Sequence, residues 1–520
     1  MGKIVIDPIT RIEGHLKIEA TVEDGIVKDA RSSGMLFRGI EIILRGRDPR
    51  DAQRYTQRIC GVCPTSHSTA ATLNLDSAFG LADKIPDNGR IMRNLILGAA
   101  HVADHILHFY HLTALDYVDV TAIARYDGDD PVLKSVLDFV KRGELGPLVP
   151  RYEGDYRLSD EQNIAALSHY LKALEMRRKA QETVAIFGGK LPHNCSILPG
   201  GVSEVATVDK IASFLWHVNE LRDFIDSTYI PDILMVAGAY SDYFGIGSGC
   251  GNMLSYGSYD LDGTSQDLTR RERLIKQGTT SVADLQHREL DASKITEYVK
   301  NSWYEDSTSG RHPENGATSP QPGKASGYSW IKAPRYDGKV YEVGPLARIM
   351  VSYVKGQPAV KELADSVLSH FKAQPSAMFS VLGRHAARAF SAKVIADAMP
   401  GWLLQLKPGE PAYIDYEVPE ESTGMGLVDA ARGALGHWIE IKDHKIANYQ
   451  CVVPTTWNCS PRDDQGQPGP VEQALIGTRI KDESNPFEIV RIVRSFDPCI
   501  ACAVHMVTPR GRDLGKFRVS

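Results

Sequence analysis

The stretch "DPCIACAVH" (497–505) sets two cysteines three positions apart and follows them with a histidine. Another fifteen residues, "MVTPRGRDLGKFRVS" (506–520), come after it. A second pair of the same spacing stands more than four hundred positions earlier, in "RICGVCPTSH" (58–67). Residues i and i+3 are neighbours on a helical turn, so each pair can bring both sulfurs to one side. Two such pairs together offer four thiolates around one centre. Soft sulfur donors select zinc, copper(I), iron–sulfur clusters, nickel or iron over hard ions. Several readings compete at this point. Structural zinc modules usually gather their pairs across ~15–20 intervening residues, far fewer than here. A thioredoxin-type redox pair follows a strand in a βαβ unit, a setting that neither pair has. A centre tying distant parts of the chain together is organised by the whole fold, which suits a reactive site. Two unrelated pairs are the remaining alternative.

The bulk composition is that of a soluble globular protein, with 42% hydrophobic and 24% charged residues among 520. The net charge of −6 gives no reason to expect binding to nucleic acid or anionic membranes. "MGKIVIDPITRIEGH" (1–15) lacks the apolar core of a signal peptide. No apolar run reaches the ~18 residues that span a bilayer. The expectation is a chain that neither exports nor anchors itself, although a partner can carry it. Eight cysteines are too few for a disulfide scaffold. Cys195, Cys250 and Cys459 have no assigned role and are expected as buried thiols.

"LKIEATV" (16–22) alternates with period two, and Asp24-Gly25 supplies a hairpin turn, so residues 3–32 read as strands. "GRIMRNLILGAAHVADHILHFYHLTALDYV" (89–118) is too evenly apolar for a surface helix and reads as a core one. Ser159 and Gln162 form a capping box that opens a helix over 160–186. Further helices are expected near 207–229, 358–372 and 376–399. The polar stretch 306–327 reads as a surface loop. "HWIEIKDHKIANYQCVV" (437–453) reads as a second strand pair. Asn485-Pro486 has the N-cap and N1 chemistry for a helix over 486–495, which Pro498 stops ahead of Cys499. The fold class is therefore α+β and predominantly helical. A central bundle of long helices is joined by small antiparallel β elements near the N-terminus and before the C-terminal metal-binding segment.

Six blocks carry a resemblance: "ITRIEGHLKIE" (9–19), "FRGIEIIL" (37–44), "RICGVCPTSHS" (58–68), "YSWIKAPRYDGKVYEVGPLAR" (328–348), "VVPTTWNCSPRD" (452–463) and "DPCIACAVH". Together they closely resemble the large subunit of nickel–iron hydrogenases, in that family's order and over nearly the full chain. The resemblance implies an enzyme that cleaves H2 reversibly into protons and electrons. In that family the four cysteines hold nickel, and the second of each pair also bridges to an iron carrying carbon monoxide and cyanide. Carried over, Cys60 and Cys499 are terminal nickel ligands, and Cys63 and Cys502 are the bridges. Coordination ionises thiols whose free pKa is about 8.5. Heterolytic splitting of H2 needs an electrophilic metal beside a base, and a thiolate ligand offers the base.

The same resemblance assigns the surroundings. Glu13 matches the glutamate that passes protons away from Cys499. Arg432, in "GMGLVDAARGALGHW" (424–438), matches the arginine overhanging the nickel. Its fixed N–H donors suit Asp104 and Asp497 as partners. Asp104 lies in an otherwise apolar helix, where an unpaired charge is costly, and that alone calls for a buried partner. Pro454, Thr455 and Thr456 are implied to sit against the iron's diatomic ligands, with hydroxyl and backbone donors for cyanide. His67 is expected to hydrogen-bond a bridging sulfur, a satisfied core histidine being the alternative, and His193 has only a supporting place. Glu41, His505 and the carbonyl of Cys451 resemble the protein ligands of a separate magnesium or iron ion. Asp429-Ala430-Ala431-Arg432 stands where many relatives have Glu-Ala-Pro-Arg. Together with "CPTSH" this leans towards the nickel–iron–selenium subclass, which often has selenocysteine at the first position of the last pair. Position 499 is cysteine, so the chain reads as a cysteine form of that subclass.

In this family a dedicated endopeptidase cuts after the histidine of the last block once nickel has been inserted, and nickel-insertion chaperones assist. Residues 1–505 then form one intertwined catalytic domain, and 506–520 a maturation tail cut between His505 and Met506. Such a tail can hold the 499–502 pair away from its counterpart until metal arrives. The chain lacks cysteines for an electron wire, so an iron–sulfur small subunit is the expected partner, in a heterodimer or multiples of it. Co-export with that subunit places the chain in the periplasm, with the cytoplasm as the alternative. The competing function is an H2-sensing subunit with the same centre, although such sensors commonly lack the tail. The related quinone-site subunit of respiratory complex I has the fold without the metal, and here all four cysteines are present.

Overall fold

Period-two alternation in the first thirty residues becomes a three-stranded antiparallel sheet of β1 (Gly2–Ile6), β2 (Leu16–Glu23) and β3 (Ile26–Gly34), in that order. Leu16, Ile18, Ala20 and Val22 of β2 are buried, and the residues between them face outward. Asp24 and Gly25 turn the hairpin with φ of 53° and 70°, a conformation that suits Asp-Gly. The computed structural model describes residues 2–143, 154–263 and 265–503. His505 and the segment 506–520 lie outside the described residues.

Helices follow: α1 (Ile40–Leu44), α2 (Pro64–Ala78), α3 (Asp87–Ile106), α4 (Asp160–Gly188), α5 (Val208–Phe224) and α6 (Val381–Leu403). α2 starts on the proline directly after Cys63, whose missing N–H is harmless in a first turn. The expected capping box opens α4, with Ser159 N–H on Gln162 Oε1 at 2.9 Å and Gln162 N–H on Ser159 Oγ at 3.3 Å. Each of α3 and α5 packs against both α4 and α6, and these four helices are the central bundle. Some boundaries differ from the sequence reading. The 89–118 helix stops being α-helical at Ile106 and continues as a π turn (Leu107–Thr113) and a 3-10 turn. The 207–229 helix likewise passes through a π turn into Ile230–Ala239. The helix expected near 376 starts at Val381, because the Ser380 side chain caps the N–H of Gly383.

The second sheet has three strands, β4 (Ser422–Ala430), β5 (Gly433–Lys442) and β6 (Lys445–Val452), where the sequence suggested two. β4 escapes a propensity reading because it carries Gly424 and Gly426. Those glycines are required by α2: a Cβ at Gly426 would lie 2.2 Å from the Ala70 carbonyl oxygen, and one at Gly424 lies 2.3 Å from that of Asn74. The strand thus presses directly on the helix that begins at Cys63. α7 (Pro454–Asn458), α8 (Phe487–Ser495) and α9 (Ile500–Ala503) complete the path, α8 starting one residue later than expected with Pro486 in its cap. The 306–327 stretch is not wholly a surface loop, since Thr308, Pro313 and Thr318 are buried in it.

Candidate metal centre

Each cysteine of the two pairs stands at an element end. Cys60 ends a 3-10 turn, Cys63 precedes α2, Cys499 precedes α9 and Cys502 lies within it. The pairs, 439 positions apart, meet with sulfur–sulfur distances of 3.2 Å for Cys60–Cys499 and 3.2 Å for Cys63–Cys502. Cys499 and Cys502 are 3.0 Å apart. All four sulfurs lie within 4.8 Å of one another, and all four residues are buried. The backbone makes this meeting. Glu13 pairs as a one-residue parallel strand with the Cys499 segment, through Glu13 N–H on the Pro498 carbonyl at 3.3 Å and Ile500 N–H on the Glu13 carbonyl at 2.9 Å. Gly14, at φ +83°, permits the contact, since a Cβ there would sit 2.8 Å from Cβ of Ile500.

The donor set fits a metal cation. Hydrogen bonds from Cys499, Cys502 and Cys63 hold the Cys60 thiol well below its ordinary pKa. Burial pushes Cys499 and Cys502 well up, and neighbouring sulfurs add to it. A cation in their midst removes that opposition and lets all four ionise. Arg432 stands by, with Nε 3.1 Å from Asp497 Oδ2 and Nη1 3.6 Å from Asp104 Oδ2, all three side chains being buried. Burial raises both carboxyls, that of Asp104 up to about 7. The predicted trio is therefore in contact, and the charge in the apolar helix has its partner.

Glu13 Oε2 lies 3.3 Å from Cys499 Sγ and accepts the Ala501 N–H at 2.7 Å. Burial, then the charge at Cys60, raises its pKa. Thr455 Oγ1 accepts the Cys499 N–H at 3.0 Å, and Pro454 and Thr456 are buried beside it in α7. His67 Nδ1 is 3.3 Å from Nε2 of His437, whose Nδ1 is 2.8 Å from the Tyr449 hydroxyl. Glu41 Oε1 accepts the N–H of Cys451 at 2.8 Å, so the expected pair of Glu41 and Cys451 is adjacent. His193 is half-buried outside the sulfur cluster.

This combination has relatives. A family model described as nickel-dependent hydrogenase matches residues 38–505, and one described as HoxL-like matches residues 3–33. The chain belongs to the nickel-dependent hydrogenases. It is 43% identical over 519 residues to the periplasmic [NiFeSe] hydrogenase large subunit of Desulfomicrobium baculatum, covering 97% of this chain and 95% of the relative. It is 38% identical over 575 residues to the quinone-reactive Ni/Fe-hydrogenase large chain of Wolinella succinogenes, covering 99% and 98%. A solved structure of H2-activated, anaerobically purified Dm. baculatum [NiFeSe] hydrogenase matches with a TM-score of 0.86 at 43% identity, covering 97% of this chain and 100% of that one. This hydrogenase chain is an enzyme acting on H2, of the large-subunit type. Among the described residues, no helix is long and apolar enough to cross a membrane.

Several groups around Glu41 and His67 escaped the sequence reading. The Thr318 hydroxyl, from the stretch read as a surface loop, donates to Glu41 Oε2. Lys332, 3.1 Å from Gln450 Oε1 and 3.3 Å from Glu297 Oε2, is buried within the charge of Glu41. Lys332 lies inside a block quoted above, so a lysine amid apolar neighbours was its available signal. His437 had none beyond its type. Of the unassigned cysteines, Cys459 is buried as expected and Cys250 half-buried. Cys195 is exposed, because it sits in the turn leaving α4 and points its thiol to the surface.

Proposed function

We propose that this chain cleaves H2 reversibly at a nickel–iron centre that Cys60, Cys63, Cys499 and Cys502 would hold, Cys63 and Cys502 being the residues that would be shared between the two metals. One observation carries the reading: four sulfurs from two distant C-x-x-C pairs converge within 4.8 Å. The bound nickel–iron pair, with carbon monoxide and cyanide on iron, supplies the electrophile and the electron acceptor. The chain's own residues handle protons and shape. A proton held on Cys499 Sγ passes to Glu13 Oε2, 3.3 Å away. The Ala501 N–H keeps that carboxylate aimed, and burial raises its pKa above the ordinary carboxylate value, which favours its taking a proton. Arg432, anchored by Asp104 and Asp497, holds a fixed positive charge beside the sulfurs. The Thr455 hydroxyl accepts the Cys499 N–H, and it and the Thr456 hydroxyl would offer donors to cyanide on a bound iron. His67 is braced by His437 and supports a bridging sulfur. A glutamate aimed at a sulfur has no use in structural zinc, and this favours the catalytic reading over the bland one.

A second, hard ion, magnesium or iron, is assigned to Glu41, the Cys451 carbonyl and His505. The adjacency of Glu41 and Cys451 supports this. Residues 506–520 are read as a tail removed by an endopeptidase after nickel insertion by chaperones; the family match ends at residue 505. An iron–sulfur small subunit takes the electrons, for among the described residues the four-sulfur set is the sole cluster of cysteines. The periplasm is the proposed compartment, after the relative named periplasmic. Cys499 marks a cysteine form of the nickel–iron–selenium subclass. The test is elemental analysis and H2-dependent dye reduction of the chain purified with its small subunit. Nickel with iron and H2-dependent reduction is expected; zinc without nickel refutes the proposal.

A further inference from the structure

Arg38 stands in "FRGIEIIL" immediately before Gly39 and α1. Its guanidinium touches both halves of the sulfur cluster through backbone alone. Nη2 donates to the carbonyl of Ile59 and, at 2.9 Å, to that of Ala501, and Nη1 donates to the Arg58 carbonyl at 3.2 Å. Ile59 is joined to Cys60, and Ala501 lies between Cys499 and Cys502. Ala501 is therefore gripped at both ends: its N–H by the Glu13 carboxylate at 2.7 Å, its carbonyl by Arg38. The two bonds come from different parts of the N-terminal region and meet on one residue of the late pair. A guanidinium is always charged, and its Nη2 carries two N–H groups, so this one nitrogen binds both carbonyls while Nη1 fixes the plane on the Arg58 carbonyl. Three positions further on, Glu41 holds the N–H of Cys451, so one short stretch touches both proposed ion sites.

We propose that Arg38 is a positioning residue of the metal centre, tying the Ile59 and Ala501 carbonyls together and thereby setting the spacing of the two cysteine pairs. The inference rests on reading the four sulfurs as one nickel-binding set. Without the tie, the late pair keeps the Glu13 pairing and the Thr455 bond to the Cys499 N–H, but no side chain links it to the early pair's backbone, and its sulfurs separate more often from Cys60 and Cys63. Metal release is then faster, because each opening frees two of four ligands.

The experiment uses Arg38→Met and Arg38→Lys in the full chain expressed with its small subunit. Nickel content, the rate of nickel loss to excess EDTA, and the electron paramagnetic resonance of the nickel are measured. Arg38→Met is expected to lose nickel about 10- to 100-fold faster than wild type, the loss of charge-assisted hydrogen bonds, with an altered resonance. Arg38→Lys, whose single nitrogen can bind the two carbonyls but lacks the second nitrogen that reaches the Arg58 carbonyl, is expected to fall between. Wild-type release and an unchanged resonance in Arg38→Met overturn the proposal. So does a lowered melting point with an unchanged resonance, the mark of a merely structural residue. If Arg38→Met does not accumulate, Arg38→Lys decides, and wild-type release from it overturns the tie. A wild-type protein without nickel refutes the underlying reading instead, so the two failures are distinguishable.

Discussion

Replacing Glu13 by Gln separates proton transfer from architecture, because the two depend on different atoms of one side chain. The amide keeps the size of the carboxylate, and its carbonyl oxygen can still accept the Ala501 N–H at 2.7 Å. It cannot take a proton from Cys499 Sγ at 3.3 Å. A positioned acid–base group contributes about 10²–10⁴ in rate, or about 3–5 kcal/mol of barrier at 1.36 kcal/mol per tenfold. The structural loss is smaller, the difference between a charged and a neutral hydrogen bond, about 1 kcal/mol. Turnover in H2-dependent dye reduction is therefore expected to fall by two to four orders of magnitude while nickel content stays at the wild-type level. Activity within a factor of ten of wild type would refute the relay. Loss of nickel alongside activity would refute it differently, by making Glu13 a structural support for the late cysteine pair.

Two further outcomes are expected. Deleting residues 506–520 from the gene yields chain without correctly inserted nickel, by elemental analysis; full nickel and activity from that chain dispose of the maturation role. The second concerns Glu472, buried among the N–H of Ser32 at 3.0 Å, the Tyr328 hydroxyl at 2.8 Å and the N–H of Gly469 at 3.2 Å, with Arg462 nearby. Burial raises its pKa from 4.5 to about 7. The folded state therefore binds the proton more tightly than the unfolded chain, so this contribution is complete below pH 4.5 and is lost as pH rises towards 7. The shift corresponds to about 3 kcal/mol. Urea unfolding of wild type against Glu472→Gln should show a difference that changes by that order between pH 4.5 and 7.5, and a difference flat with pH rejects the assignment.

What the sequence discloses here divides along a physical line. The Asp24-Gly25 turn, the Ser159–Gln162 box and the alternation of β2 are local, each satisfied within a few residues of itself, and all three stand in the structure as read. The four cysteines were legible because their type restricts what they can bind. β4 was missed because its glycines answer to α2, a partner some 350 residues away in the chain. Thr318 was missed because nothing in a polar loop announces a buried carboxylate across the fold.

Arg38 and Glu13 show the limit most sharply. Both grip Ala501, one by its carbonyl and one by its N–H, and every residue other than proline carries those groups. A side chain that binds backbone leaves no complementary residue in the sequence, so spacing and residue type cannot reveal its partner. The metal ligands are encoded in side-chain identity, whereas the distance between them is encoded in the path of the chain. A substitution at Ala501 that preserves that path should therefore leave both grips intact, while Arg38→Met releases a grip without touching a single sulfur.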